Sequence, residues 1–469
     1  MPAVMRAAAA IERANIPAVA IGATGFEPLG RAIGRSLGIS HVPIVIYPGV
    51  ISTDDTGTFR RKLSETVVPQ VVAALTGGPP GEAAEQPKSA AQIPRQAEPE
   101  PQDVVYSGVL DDIQSYFTAQ GWTDGLPVIP PTIDRAERFF EFTDRSPDEV
   151  IGVLPPDYRE ATAWNVAVNG VMAGCLPEYF PILLAIVECL ADPDFRIEDA
   201  GSTFGWEPMV VLSGPLVSEL EFNTGTGVMR VGRQANTSIG RFVRLYMRNV
   251  AGLRIPPGHT DQAAIGYTFN VVLPEDDRVV DELGWSPYRV DRGFPGGETI
   301  VSIQQVVNIS APIYTSGDRI EHHLETIGRL FGNAIGPWAY SGIVHGGWYP
   351  LLVLSPSVAR TLARCGVGKD ELRDYLYTNV RAPAYQLERY HQHVRNTPLD
   401  LATLVRRGEA DPVYARSDDP ERLVPMFVHP EWIGIVVAGN PNRAQSRAYV
   451  GNHKHAPVSR VVHRGSRRR

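Results

Sequence analysis

Four arginines, a short polar run and an apolar period stand together in RVGRQANTSIGRFVR, residues 230–244. Asn236, Thr237 and Ser238 are of the types that cap a helix N-terminus, and Ile239, Phe242, Val243 and Tyr246 continue at helical spacing. A helix start offers free N–H groups and the positive end of its dipole, and Arg230, Arg233 and Arg241 can be brought to that end. A carboxylate or phosphate would be held there, with Arg233, Asn236, Ser238 and Arg241 as the binding set. The run lacks the GxxxxGK[ST] pattern of a nucleotide-binding loop. The same arginines also fit ordinary surface ion pairs.

A second chemical group lies in WNVAVNGVMAGCLPEYFPILLAIVECL, residues 164–190. Asn165, Asn169 and Gly170 fall on a small-residue helix ending at Gly174, Cys175 stands at the break, and Pro177 starts the next helix. A cysteine beside a helix N-terminus can have its thiolate stabilised, and Glu178 is one turn away to exchange protons. Cys175 equally fits a small packing residue at a tight corner, whereas Cys189 lies inside an apolar helix and reads as core. The loop GWTDGLPVIPPT, residues 121–132, is rigid and carries a single ionisable group, Asp124, which serves either as an acid or as a turn cap.

Three strand-to-turn patterns supply candidate pocket walls at Ser213–Gly214, Ser355–Pro356 and Gly439–Asn440, since ligands sit outside the carboxyl ends of strands in open α/β sheets. His345 in VHGGWYP is followed by glycines that permit close backbone approach to a ligand. The pairs His322–His323 and His391–His393 lack a third ligand at metal spacing and read as surface. No GxSxG elbow and no strand-linked GxGxxG occurs. No metal site is implied, and the sequence names no cofactor.

The elements that must position these residues begin at the first residue. Ala7–Ala10 run into Ile11–Ala14 as a helix, and a strand over 16–22 follows without the fresh start expected after a signal peptide. A helix over 27–37, a strand over 42–47 and a helix over 59–75 complete a module at 1–76. Residues 77–103, rich in Pro, Ala, Gln and Glu without apolar period, read as a disordered linker. A large region follows over 104–459, then a basic tail, 460–469, with five arginines and a histidine, expected to be solvated.

With 469 residues, 43% hydrophobic and 20% charged, the composition is that of an ordinary globular protein. No apolar run reaches the roughly 18 residues of a membrane span, and a net charge of −8 argues against nucleic acid. Three scattered cysteines fit reduced thiols. The expectation is a cytoplasmic protein with a small anionic partner, no nucleic acid and no membrane.

The runs GWTDGLPVIPPT, NGVMAGCLPEYFP, RQANTSIGRFVRL, PLLVLSPSVARTLARCGVGKDELRDYL and IVVAGNP together resemble the large C-terminal region of UGSC-family proteins, selenoprotein-related proteins named for a Sec/Cys-Gly-Ser-Cys motif. The first module is similar to the second half of the UGSC domain. The family's tetrapeptide precedes the helix that here is AAAAIERAN, but this chain has no such tetrapeptide and no cysteine before Cys175. The opening stretch therefore reads as the interior of an α/β domain whose first half is absent, and no redox role falls on an N-terminal residue. The resemblance implies oxidoreductase or carbon–sulfur chemistry.

The expected architecture is α/β: a partial flavodoxin-like module, a linker, and a large α/β or α+β domain with the site. The leading expectation is an enzyme acting on a small anion, with Cys175, Glu178 and Asp124 catalytic and Ser213, Gly214 and His345 in the pocket wall. Its rivals are a lyase or isomerase working without a thiol, and a non-catalytic binding or assembly subunit. A two-strand module also implies docking, either on the large domain or on a second copy in a homo-oligomer.

Overall fold

The computed structural model describes residues 1–76, 102–201, 205–255, 268–395, 397–451 and 456–465. The fold is α/β. In the N-terminal module β1 (Ala20–Ala23) and β2 (Ile44–Tyr47) pair in parallel, Ala20 opposite Ile44. Helices Pro2–Arg13 and Glu27–Ser36 cover one face through Met5, Ala8, Leu29 and Ile33. Phe59, Leu63 and Val67 cover the other against Val45 and Tyr47. Strand β1 starts later than the apolar run suggests: Asn15 has φ of 57°, Pro17 has no N–H, and the Ala18 N–H is taken by the Glu12 carboxylate at 2.6 Å. The last helix starts earlier, at Thr56, because Asp55 caps it through the Gly57 and Thr58 N–H groups at 2.8 and 3.0 Å. Residues 77–101 of the expected linker lie outside the described residues.

In the large region, helices Leu110–Ala119 and Ile133–Glu137 precede an antiparallel hairpin of β3 (Val150–Leu154) and β4 (Arg159–Thr162). Its main sheet contains β5 (Glu207–Ser213), β6 (Leu273–Pro274), β7 (Ile300–Ile309), β8 (Ile313–Tyr314) and β9 (Leu351–Leu354). A small antiparallel pair, β10 (Arg381–Pro383) and β11 (Leu423–Pro425), lies apart from it, and β12 (Gly434–Val437), β13 (Gln445–Gly451) and β14 (Val458–Val461) complete the sheet. The strand order is β12-β9-β13-β7-β5-β6, with β14 beside β7 and β8 beside β13. Among the described strand pairs of this sheet, β12/β9 and β5/β6 are parallel and the others antiparallel.

Through the antiparallel steps β5–β7, β7–β13 and β13–β9, strand β5 runs opposite to β9 and β12. The sheet is therefore not the open parallel one expected, yet the three strand ends read from the sequence still meet, Ala438 N–H donating to the Leu354 C=O at 2.9 Å and Gly439 packing on Ser355. The sheet curls instead. After β6, Glu275 N–H donates to Leu212 C=O and Asp276 N–H to Val437 C=O, both at 2.8 Å, which bridges the ends of β5 and β12. Met209, Val211, Leu273, Val306, Val353, Val436 and Tyr449 fill the concave face. Helices Ala163–Ala173, Phe180–Ala191 and Gln234–Tyr246 cover the outer face over β5 and β7, and helices from Ile320 to Leu387 cover it over β9, β12 and β13.

The tail is a correction. Arg460 belongs to β14, Arg460 pairs with Asp192, Arg464 pairs with Glu219, and Val462 is buried, so residues 460–465 are part of the fold. No helix among the described residues is long and apolar enough to cross a membrane.

Candidate functional site

Helix Ala163–Ala173 starts where the Thr162 hydroxyl caps the Asn165 N–H at 3.2 Å, and it ends at Gly174 in the left-handed conformation, φ 84°. Gly170 has a packing reason: a Cβ there would meet Phe139 and Leu183 at 2.9 and 2.8 Å. The loop over 121–132 is laid beside this helix by Gln114, whose side chain bonds both backbone groups of Val128 at 2.7 and 3.0 Å. Trp122 packs edge-on to Tyr116 and Phe117, and Tyr106 stacks on Tyr116 with ring centroids 4.6 Å apart.

Between them lies a cavity of about 530 Å³, walled by Phe117, Trp122, Pro130, Trp164, Val168 and Met172 and crossed at its mouth by residues 102–106. Its polar floor is Asn165, Asn169 and Asn249. The Asn249 amide donates to Asn169 Oδ1 at 2.9 Å and to the Trp122 C=O at 3.1 Å, and Tyr246 donates its hydroxyl proton to Asn165 Oδ1 at 2.7 Å. Burial pushes the Tyr246 phenol well above its ordinary range, so it stays a donor. Arg159, Glu160, Asp103 and Asp134 are its charged lining residues.

The arginine-rich run is organised differently from the expectation. Its helix starts at Gln234, so Asn236, Thr237 and Ser238 lie inside the helix and not at its cap. Asn236 is fully buried and pins Asn223 through two hydrogen bonds, 2.9 and 3.1 Å. Arg241 makes a bidentate pair with Asp124, 2.8 and 2.9 Å, and reaches the Pro127 C=O at 2.9 Å. Burial would raise the Asp124 carboxyl, but Arg241 outweighs it and holds it below its usual value. Two expected site residues are thus each other's partners. Arg233 binds Glu221 at 2.7 Å.

Arg233 and Glu178 do share a second cavity, of about 480 Å³, at the start of this helix, but Glu219 and Glu221 line it too. Three carboxylates against one arginine make a poor anion site. Cys175 N–H donates to Gly170 C=O at 2.9 Å, so its thiol follows a helix C-terminus, where the dipole disfavours negative charge. Burial pushes the thiol up to about 12, against the weaker opposing effect of Ser238. Cys175 is buried at the helix corner, 7% exposed, which fits its packing alternative.

Ser213 is fully buried, and Gly214, at φ 128°, is required because a Cβ would meet Thr299 Cα at 2.5 Å. His345 ends the helix Ala339–His345; the close approach that Gly347 allows is taken by the Trp432 ring. Trp432 in turn stacks on Tyr349 with centroids 4.3 Å apart. His323 is buried and bonds the Gly317 C=O at 3.0 Å, which corrects its surface reading. Among the described residues no His/Cys/Asp/Glu group is arranged to hold a metal ion.

Two features escape sequence reading. Asn249 joins Asn165 and Asn169 from 80 positions away, and nothing in YMRNVAG marks it. Glu275 is fully buried, bonded to the Ser213 hydroxyl at 2.8 Å and the Tyr288 N–H at 2.7 Å, with Lys369 Nζ at 3.8 Å. Burial raises its carboxyl to about 7, opposed by Lys369. The LPED turn carries no signal beyond a strand end.

Fold and cavity define a mixed α/β protein with an aromatic, asparagine-floored pocket beside its main sheet. Residues 2–77, the helix–strand module, match the model of the UGSC family. No curated protein and no solved structure matches the chain.

Proposed function

We propose that the large region binds a small molecule with an apolar, ring-sized body in the cavity between the loop over 121–132 and helix Ala163–Ala173. One observation carries this: two segments far apart in sequence meet to wall a single apolar cavity of about 530 Å³ with a few convergent amides, the size and make-up of small-ligand sites. The arginines expected to bind an anion are engaged by Asp124 and Glu221, so the reading moves from the charged run to this cavity. An acid–base enzyme working without a thiol is the second reading, supported by Arg159 and Glu160 in the lining.

The test uses anilinonaphthalene sulfonate as probe, with Trp122 and Trp164 as energy donors. Saturable binding is expected in the wild type. Val168→Phe, which narrows the cavity, should weaken it several-fold at an unchanged or higher Tm. Dye affinity equal to that of the wild type in the narrowed variant removes the reading.

A further inference from the structure

A separate cavity, of about 710 Å³, lies between helix Ile320–Ile335 and strand β10, and it shares no lining residue with the cavity beside the loop over 121–132. Two glycines shape it. Gly328 and Gly332 are buried one turn apart on the helix, and a Cβ there would meet Val380 at 3.3 and 2.9 Å. The bare helix face admits Val380 at close range, and the residue that follows, Arg381, is brought to the same cavity as Arg329. The charged lining residues are these two arginines and one carboxylate, Glu325, with Asn333, Tyr375 and Gln386 as further polar groups. Burial, and then the nearby Glu325, push the Tyr375 phenol up, so it keeps its proton to donate.

Arg381, half-buried, is held by neutral groups: its Nε donates to the Thr378 C=O at 2.7 Å and its Nη1 to the Leu423 C=O at 3.4 Å. Carbonyls orient a guanidinium without cancelling its charge, and Nη2 takes part in neither bond. Glu325 precedes Arg329 at the i,i+4 spacing that favours an ion pair, yet among the described residues neither Arg329 nor Arg381 is paired with a carboxylate. The arginines of the 230–244 run differ, since Glu221 and Asp124 neutralise Arg233 and Arg241. A concave site that keeps two uncompensated guanidiniums concentrates anions, and the guanidinium fork matches the paired oxygens of carboxylate and phosphate. We infer that this cavity binds a small anion through a phosphate or carboxylate group held jointly by Arg329 and Arg381. The net charge of −8 disfavours an extended polyanion, so the ligand is one small enough to meet this local field alone.

The full chain is titrated by calorimetry with inorganic phosphate and with succinate, at one ionic strength set by sodium chloride. Saturable binding of at least one is expected, and the tighter of the two tells a phosphate ligand from a carboxylate one. Arg329→Gln should weaken that binding about tenfold, the value of one charge-assisted hydrogen bond. Glu325→Gln removes the opposing charge and should strengthen it several-fold, a gain that damage to the fold would not produce. No saturable binding of either anion overturns the proposal, and so does an affinity that either substitution leaves unchanged. Because the two cavities have no residue in common, either reading can fail without the other.

Discussion

Glu275 places a carboxyl in the interior of the curled sheet, where Ser213, Lys369 and the Tyr288 N–H face it; Asp291, Arg373, Asp277 and Arg289 form the next ring of charge. Burial raises its folded-state value to about 7 from an ordinary 4.5. The folded state therefore holds a proton that the unfolded chain releases, and the stability this brings is fully present below pH 4.5 and lost as pH rises through 7. The loss is about 3 kcal/mol. Glu275→Gln keeps acceptors for Ser213 and Tyr288 and cannot ionise. Urea unfolding across pH 4.5 to 8 should show the wild type losing stability relative to this variant, and parallel curves would rule the account out. Little of this was legible. A sequence shows that Glu275 is acidic, but its environment is assembled from Ser213, Lys369 and Asp291, and burial among distant residues is what sets its chemistry.

At the scale of elements, local signals were read correctly where the cause is local. The Gly174 break and the Pro177 start lie where their backbone preferences put them. The proline-rich loop reads as a source of ligand contacts, whereas the helix before Gly174 draws attention only for Cys175 at its end; that Asn165 and Asn169 line a cavity with the loop is not in the sequence reading. Their partners were not legible. Asp124 and Arg241 are 117 positions apart, and each alone reads as a free charge. Their pairing ties the loop to helix Gln234–Tyr246, with side chains only 23% and 20% exposed. Because the pair is bidentate and largely shielded, Asp124→Ala and Arg241→Ala should each cost about 1–3 kcal/mol, and the double variant should cost clearly less than their sum. Strict additivity in chemical denaturation would mean the pair does not hold the loop. Loss of the pair should also weaken dye binding in the cavity that the loop walls.

At the scale of the molecule, the small parallel pair β1/β2 is completed by docking. Arg6, on the outer side of helix Pro2–Arg13, reaches the large region and pairs with Glu198 at 2.5 Å and Asp199 at 3.1 Å. Burial pushes both carboxyls up, and Arg6 opposes the shift in each. The two acids are thus stabilised as anions by a cation from the module, with Arg196 at 3.1 Å from Asp199 as a second contributor. Breaking a shielded pair on one side leaves the other charge uncompensated, at a cost of about 3–5 kcal/mol. A contact between two parts of one chain competes against an effective concentration in the millimolar range, about 4 kcal/mol. The two magnitudes are comparable, so this one residue can decide whether the module stays docked. Small-angle scattering of the full chain should give a larger radius of gyration for Arg6→Glu than for the wild type. The charge-swapped double variant, with Asp199→Arg added, should recover part of the difference. An Arg6→Glu chain that scatters like the wild type would show that apolar contacts, not this ion pair, hold the module in place.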